Sequence, residues 1–259
     1  MKKYLRTWWL LTSFASQIAF QSRFGAILFL LGKMLRFFFF LFFLFLLGSK
    51  TQVVAGYSIW QIIFFFATFN LIDSLAQFFL REVYRFRTYI VKGYFDYILT
   101  KPLNPLFRSL FGGSDLLDIP ILVVSVIFVF VSAAHIDVVT IGWILYIFLI
   151  INAFLIGLSF HIFVLAIGVL TTAVDNTIML YRDLTQMGRL PVEIYKEPLR
   201  GMITFIVPVG IMMTFPPQAL MGLLSKEAVL IAFLIGAAVF FLSIWFWHYC
   251  LRQYSSVGS

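Results

Sequence analysis

Three ionisable side chains stand inside otherwise apolar runs and are the residues of this sequence best placed to do chemistry. Lys33 and Arg36 lie three residues apart, on one face of a helix, and Asp73 falls near the end of a second apolar run. A charge in a membrane interior costs about 3 kcal/mol or more on insertion scales, so each is a candidate to bind, gate or pair. Asp73 is a partner for either cation. Lys33 and Arg36 can alternatively extend along their stems to reach headgroups. Asp115 and Asp118 open a later helix, where carboxylates meet the positive end of its dipole and need no further role. No pair is close enough in sequence to establish a proton relay.

The other constellations that carry chemistry are missing. There is no H-E-x-x-H, no G-x-S-x-G, no C-x-x-C and no G-x-x-x-x-G-K-[ST] phosphate loop. The chain therefore lacks a Walker motif of its own, and neither catalytic residues nor a cofactor are expected in it. His135, His161 and His248 are far apart, without the spacing of a metal site. The single cysteine, Cys250, excludes an internal disulfide.

The elements that position these residues follow from composition. Of 259 residues 62% are hydrophobic and only 12% charged, against about half and about a quarter in soluble domains. A net charge of +8 does not make this a nucleic-acid-binding domain, because such cations belong on a solvated face. Runs of about 20 apolar residues mark membrane crossings. Six such runs are expected to be transmembrane helices, at Ala26–Leu47, Tyr57–Leu80, Leu116–Ala134, Ile141–Thr171, Met202–Leu224 and Ala228–Tyr249. The fifth holds Pro208 and the pair Pro216-Pro217, which interrupt a helix. It reads as a short span followed by a broken, re-entrant or surface-lying segment; a merely kinked helix is the plainer alternative. The 33 Phe residues, four of them in the run Phe37–Phe40, suit lipid and neighbouring helices.

With both termini cytoplasmic, most of the 19 lysines and arginines fall in inner segments, as the positive-inside rule requires. Residues 1–23 form no cleavable signal peptide. They read as an interfacial amphipathic helix, with Tyr4, Trp8, Leu11, Ala15 and Ile18 on one face and Arg6, Ser13 and Gln17 opposite. Residues 81–115 make the longest polar stretch. Within it Gly93–Pro102 reads as a short aromatic helix ended by proline, a shape suited either to docking a soluble partner or to anchoring the loop at the interface.

The stretch Gly93-Tyr94-Phe95-Asp96-Tyr97-Ile98-Leu99-Thr100-Lys101-Pro102-Leu103-Asn104-Pro105 is similar to a glycine, acidic residue, aliphatics and basic-Pro-x-x-Pro pattern. That pattern occurs in permease subunits of type-2 ATP-binding-cassette (ABC-2 family) exporters. Pro191, Tyr195 and Pro198, then Phe205–Pro208, Phe215–Gly222 and the tail Arg252–Ser256 also resemble the branch of about 260-residue permeases in that family. The resemblance runs along the whole chain. It implies an all-α, polytopic membrane protein forming one permease domain over 1–259. The interfacial helix is 1–23, spans one and two 26–80, the cytoplasmic loop 81–115 and spans three and four 116–171. A second cytoplasmic segment is 172–201, spans five and six are 202–249, and the tail is 250–259. It further implies a coupling helix at Tyr94–Pro102, where Tyr94, Phe95, Asp96, Tyr97, Lys101 and Pro102 meet an ATP-binding-cassette ATPase. Phe95 and Tyr97 would fill its apolar cleft, and Lys101 and Arg87 would pair with its acidic residues. ATP and Mg would sit on those partner subunits. The path would form with a second copy or a sister permease among membrane lipids in the plasma (inner) membrane. An ion-coupled secondary transporter or channel is the alternative reading.

Overall fold

The computed structural model describes residues 2–51 and 53–255, and is nearly all helical; Ser256, in the tail motif, lies outside the described residues. Helix α1, Lys2–Gln21, leads at Arg23 into α2, Arg23–Lys50, which Ser22 caps by accepting the Gly25 amide at 3.3 Å. A two-strand hairpin pairs β1, Val53–Val54, with β2, Tyr57–Ser58. Helix α3, Ile59–Leu80, then starts at a reciprocal cap. The Gln61 amide donates to Ser58 Oγ, and Gln61 Oε1 accepts from the Ser58 amide at 2.8 Å.

A 3-10 turn, Arg81–Arg85, joins α3 to the short helices α4, Phe86–Val91, α5, Tyr94–Thr100, and α6, Pro105–Phe111. Gly93 separates α4 from α5 at φ 69°, a left-handed turn that glycine adopts without a Cβ penalty. Asn104 caps α6 and Pro105 occupies its first position. The chain returns through α7, Ile119–Ala133, preceded by the turn Leu116–Asp118, and through α8, Gly142–Thr171. Helix α9 is Val174–Gln186, and α10, Leu199–Gly201, runs on as a wide turn to Ile206. Two short buried helices, α11, Val209–Met213, and α12, Phe215–Leu220, precede α13, Lys226–Arg252.

Among the described residues five helices are long and apolar enough to cross a membrane: Arg23–Lys50, Ile59–Val91, Leu116–Ala133, Gly142–Thr171 and Lys226–Arg252. They do not share the core equally. The most apolar windows of the α3 and α8 helices are 67% and 61% buried, those of α2 and α13 only 17%. The outer pair therefore leaves its large apolar side chains, such as Phe39, Phe42, Leu234 and Phe241, exposed on the outside of the bundle. Where α13 lies along α8, Asn152 donates from Nδ2 to the Ala232 carbonyl at 3.0 Å, and Gly236 leaves room for the Asn152 side chain. This is small-residue packing with a polar tie, as apolar helices need in lipid.

Residues 174–193 take a route that their charges hide. Helix α9 folds back beside α8: Val174 meets Gly168, and the Tyr181 ring packs on His161 at 4.8 Å. Its inward residues Val174, Ile178, Tyr181 and Thr185 recur at helical spacing. Further on, the Arg189 guanidinium lies over the rings of Phe40 and Phe69, 5.0 and 5.7 Å from their centres, midway along α2 and α3. Then Gln218 Nε2 donates to both Glu193 and Tyr57, the latter beside the start of α3. The segment thus runs from the far end of α8 to the hairpin end of α3. The fifth apolar run of the sequence, Met202–Leu224, is not one helix. It is split at Val207-Pro208, and Thr204 on one arm lies against Gly210 on the other. The second arm ends where the Val139 amide donates to the Leu220 carbonyl at 3.1 Å, close to the first turn of α8.

Candidate functional site

Two places gather the residues singled out by sequence. The first is a platform at the end of the molecule opposite the hairpin, built from α1, α4–α6 and the last turn of α13. Its pivot is Glu82, 1% exposed. Glu82 Oε1 accepts from Arg108 at 2.6 Å and from the Tyr89 hydroxyl at 2.7 Å, and Oε2 accepts from Arg85 at 3.1 Å. Burial works against the Arg108 charge, but the Glu82 carboxylate outweighs it and raises the arginine above its ordinary pKa. One carboxylate thereby ties the end of α3 to α4 and α6.

Helix α1 is fastened to the same platform. Trp8 Nε1 donates to Ser114 Oγ at 3.0 Å, the Ser114 amide to Thr12 Oγ1 at 3.2 Å, and Lys3 Nζ to the Pro102 carbonyl at 2.6 Å. The face expected to enter the interface is divided as a result. Tyr4, Trp8 and Ala15 lie toward the platform, with Tyr4 edge-on to Phe107 at 4.8 Å, while Trp9, Leu10, Phe14 and Ile18 are exposed. The small polar residues Thr12 and Ser16 are buried because they allow close approach and hydrogen-bond locally.

Helix α5 and the two residues after it hold the six residues of the expected coupling segment, and the structure sorts them. Phe95 is fully buried, edge-on to Phe86 at 5.1 Å and Tyr254 at 5.2 Å. It cannot fill a cleft on another protein, contrary to the sequence expectation. In a seven-residue helix rich in aromatics, one ring must anchor the helix to its own domain. Tyr94 and Tyr97 are 51% and 67% exposed, and Lys101 and Pro102 are exposed with them. Asp96 accepts from the Tyr254 hydroxyl at 2.9 Å, so the chain's own tail holds it. Arg87, expected to face a partner, pairs with Asp175 at 3.1 Å across an exposed surface.

Burial and then the Asp96 carboxylate push the Tyr254 phenol up to about 12 from 10.0. A raised acid pKa means that the fold favours the neutral phenol. Its contribution is whole below pH 10.0 and disappears as the pH rises toward about 12. Tyrosinate absorbance of wild type minus that of Tyr254→Phe is expected to titrate near pH 12; a midpoint near 10 would show that the tail does not sit on α5.

The second place is a cavity of about 340 Å³ among α2, α3, α9 and the start of α7. It brings Lys33, Arg36 and Asp73 together, as well as Arg81, Asp118 and Arg182. Pairing differs from the expectation. Lys33 forms its ion pair with Asp118 rather than Asp73, and also lies over the Phe29 ring at 4.3 Å. Arg81 pairs with Asp115 at 3.5 Å, so neither carboxylate at the start of α7 is only a helix cap. Arg182 was invisible as a site residue because it stands in a polar stretch of sequence. The i, i+3, i+7 recurrence of Ile178, Tyr181 and Thr185 is the signal that α9 packs inward and carries it along. Among the described residues no group of His, Cys, Asp and Glu is arranged to hold a metal ion.

A bundle of long apolar helices, with one internal cavity lined by charged groups and one polar end platform, is a multi-pass membrane domain. The chain belongs to the ABC-2 family transporter proteins, whose family model matches residues 34–258. It is thus a membrane permease component of an ATP-binding-cassette transporter. No curated protein and no solved structure is detectably similar to it.

Proposed function

We propose that the chain is one half of an export path, working with a second copy or a sister permease and driven by separate ATP-binding-cassette ATPases. ATP and Mg are bound and hydrolysed on those partners. In this reading both termini are cytoplasmic, the membrane is the plasma (inner) membrane, and α1 lies in its inner interface.

Six crossings are proposed, with the fifth made by residues 174–193 rather than by 202–224. The segment's contact with Gly168 near one end, and at the other its link to Tyr57 through Gln218, support this. Residues 199–220 are then a re-entrant hairpin with its bend at Pro208. Buried broken backbone of this kind is tolerated in a membrane when protein surrounds it, and every residue of 209–221 is buried.

The observation that carries the reading is the two-sidedness of α5. Phe95 joins it to a core shared with α4, α8, α9 and α13, while Tyr94, Tyr97 and Lys101 stand outward. A partner pressing on those side chains moves the spans as one body. Exposed tyrosines at a contact centre are the usual anchors, each worth about 2 kcal/mol when truncated, or about thirtyfold in affinity. Tyr94→Ala/Tyr97→Ala is therefore expected to lower ATPase recovery in mild-detergent purification about thirtyfold or more, with membrane levels unchanged. Undiminished recovery and undiminished transport-coupled hydrolysis would reject α5 as the docking element.

A further inference from the structure

The cavity between α2 and α3 carries charge that its own residues do not cancel. Lys33 is matched by Asp118 and Arg81 by Asp115. What remains is Arg36 and Arg182 facing the single carboxylate of Asp73. Neither guanidinium makes an ion pair or a side-chain hydrogen bond to any described residue, although each carries about five N–H donors. At least one positive charge is in excess, and Arg189, whose charge also acts on Arg36 and Asp73, adds to it; in surroundings of low dielectric such an excess attracts an anion strongly.

Depth and shape narrow the ligand. Asp118 directly precedes the first residue of α7, so the cavity lies where that helix enters the apolar layer rather than at its middle. A volume of about 340 Å³ is at the small end of the range for ligand pockets, enough for a headgroup and not for acyl chains. Chains have their own place beside it, because Leu28, Leu31 and Leu35 of α2 are each at least half exposed. Two guanidiniums with N–H donors suit phosphate oxygens, and a phosphodiester brings a negative charge to meet the positive excess.

We propose that this cavity binds the phosphodiester headgroup of an amphiphile through Arg36 and Arg182, with its acyl chains lying along α2. The site rests on the membrane placement of α2, α3 and α7 and does not depend on α5 meeting an ATPase. The headgroup belongs either to a lipid resident in the leaflet or to the exported molecule.

The full-length chain, purified with whatever subunits accompany it and placed in phosphatidylcholine nanodiscs, is exposed to two photoreactive probes. One is phosphatidylglycerol and the other is diacylglycerol with the same acyl chains. The phosphatidylglycerol probe is expected to label peptides within residues 28–37 and 70–77 about tenfold more than diacylglycerol does. Arg36→Gln and Arg182→Gln each lower that labelling about tenfold, and Arg36→Lys keeps most of it. Asp73→Asn raises it, since it removes the one opposing charge. Equal labelling by the two probes, or labelling unchanged in both glutamine variants, overturns the site. A fall in Asp73→Asn as deep as in the arginine variants also overturns it, because damage to the fold rather than charge then controls labelling. Labelling of the lipid-facing Phe241 region reports correct insertion of every variant. With ATP added, a steady signal assigns the site to a resident lipid, and a signal that falls with turnover assigns it to cargo; both support the headgroup site.

Discussion

Glu82→Ala is expected to detach the platform while the long helices stay in the membrane. The substitution removes the acceptor of Arg85, Tyr89 and Arg108 at once. It leaves Arg108, 22% exposed, without its counter-charge. Breaking a buried ion pair from one side costs about 3–5 kcal/mol, well above a typical surface salt bridge. Because Gly113 packs between this carboxylate and Ala15 of α1, the fastening of α1 is expected to loosen with it. Limited proteolysis should show new cleavage at Arg108 and between α1 and α2, and thermal melting of the purified chain should shift down by several degrees. Glu82→Gln, which keeps the shape but not the charge, should fall between the two. A melting curve and cleavage pattern like wild type would show that Glu82 is not the pivot.

Phe95→Ala is the second large effect. The ring is fully buried between Phe86, Trp247 and Tyr254, and truncating a core phenylalanine costs about 3–5 kcal/mol. The loss falls on the joint between α5 and the end of α13. Transport and transport-coupled hydrolysis are therefore expected to drop together by at least about tenfold. Phe95→Leu, which fills most of the space, should restore much of both. This variant separates an anchor from a contact residue. If Phe95 touched the partner instead, Phe95→Ala would weaken ATPase recovery while leaving hydrogen-exchange protection of residues 94–100 intact. The expectation here is that protection is lost first.

What the sequence disclosed depended on how each signal is carried. The long helices α2, α3, α7, α8 and α13 are legible because membrane crossing demands about 20 apolar residues in a row, and five such helices are present. Ser22, Ser58, Asn104 and Ser225 mark helix starts that are visible as residue types before apolar runs. Segment 174–193 was hidden because Asp175, Arg182, Asp183 and Arg189 make it look solvated, whereas protein on several sides lets such residues lie deep. Pairing across the fold was equally out of reach. Lys33 and Asp118 are 85 residues apart, and no spacing rule joins them. On α5, the aromatic sequence suited a docking or an anchoring helix but did not say which ring points inward. That depended on Phe86, Trp247 and Tyr254, which arrive from three other places in the chain.

The most direct test replaces Tyr97 by a photoreactive benzoyl-phenylalanine in the full-length chain in its native membrane, with the same substitution at the lipid-facing Phe241 as control. Capture of a Walker-motif ATPase from position 97 and only lipid from position 241 is the result expected of α5 as the coupling helix. Lipid alone from position 97, with the chain correctly inserted and transport active, would contradict it.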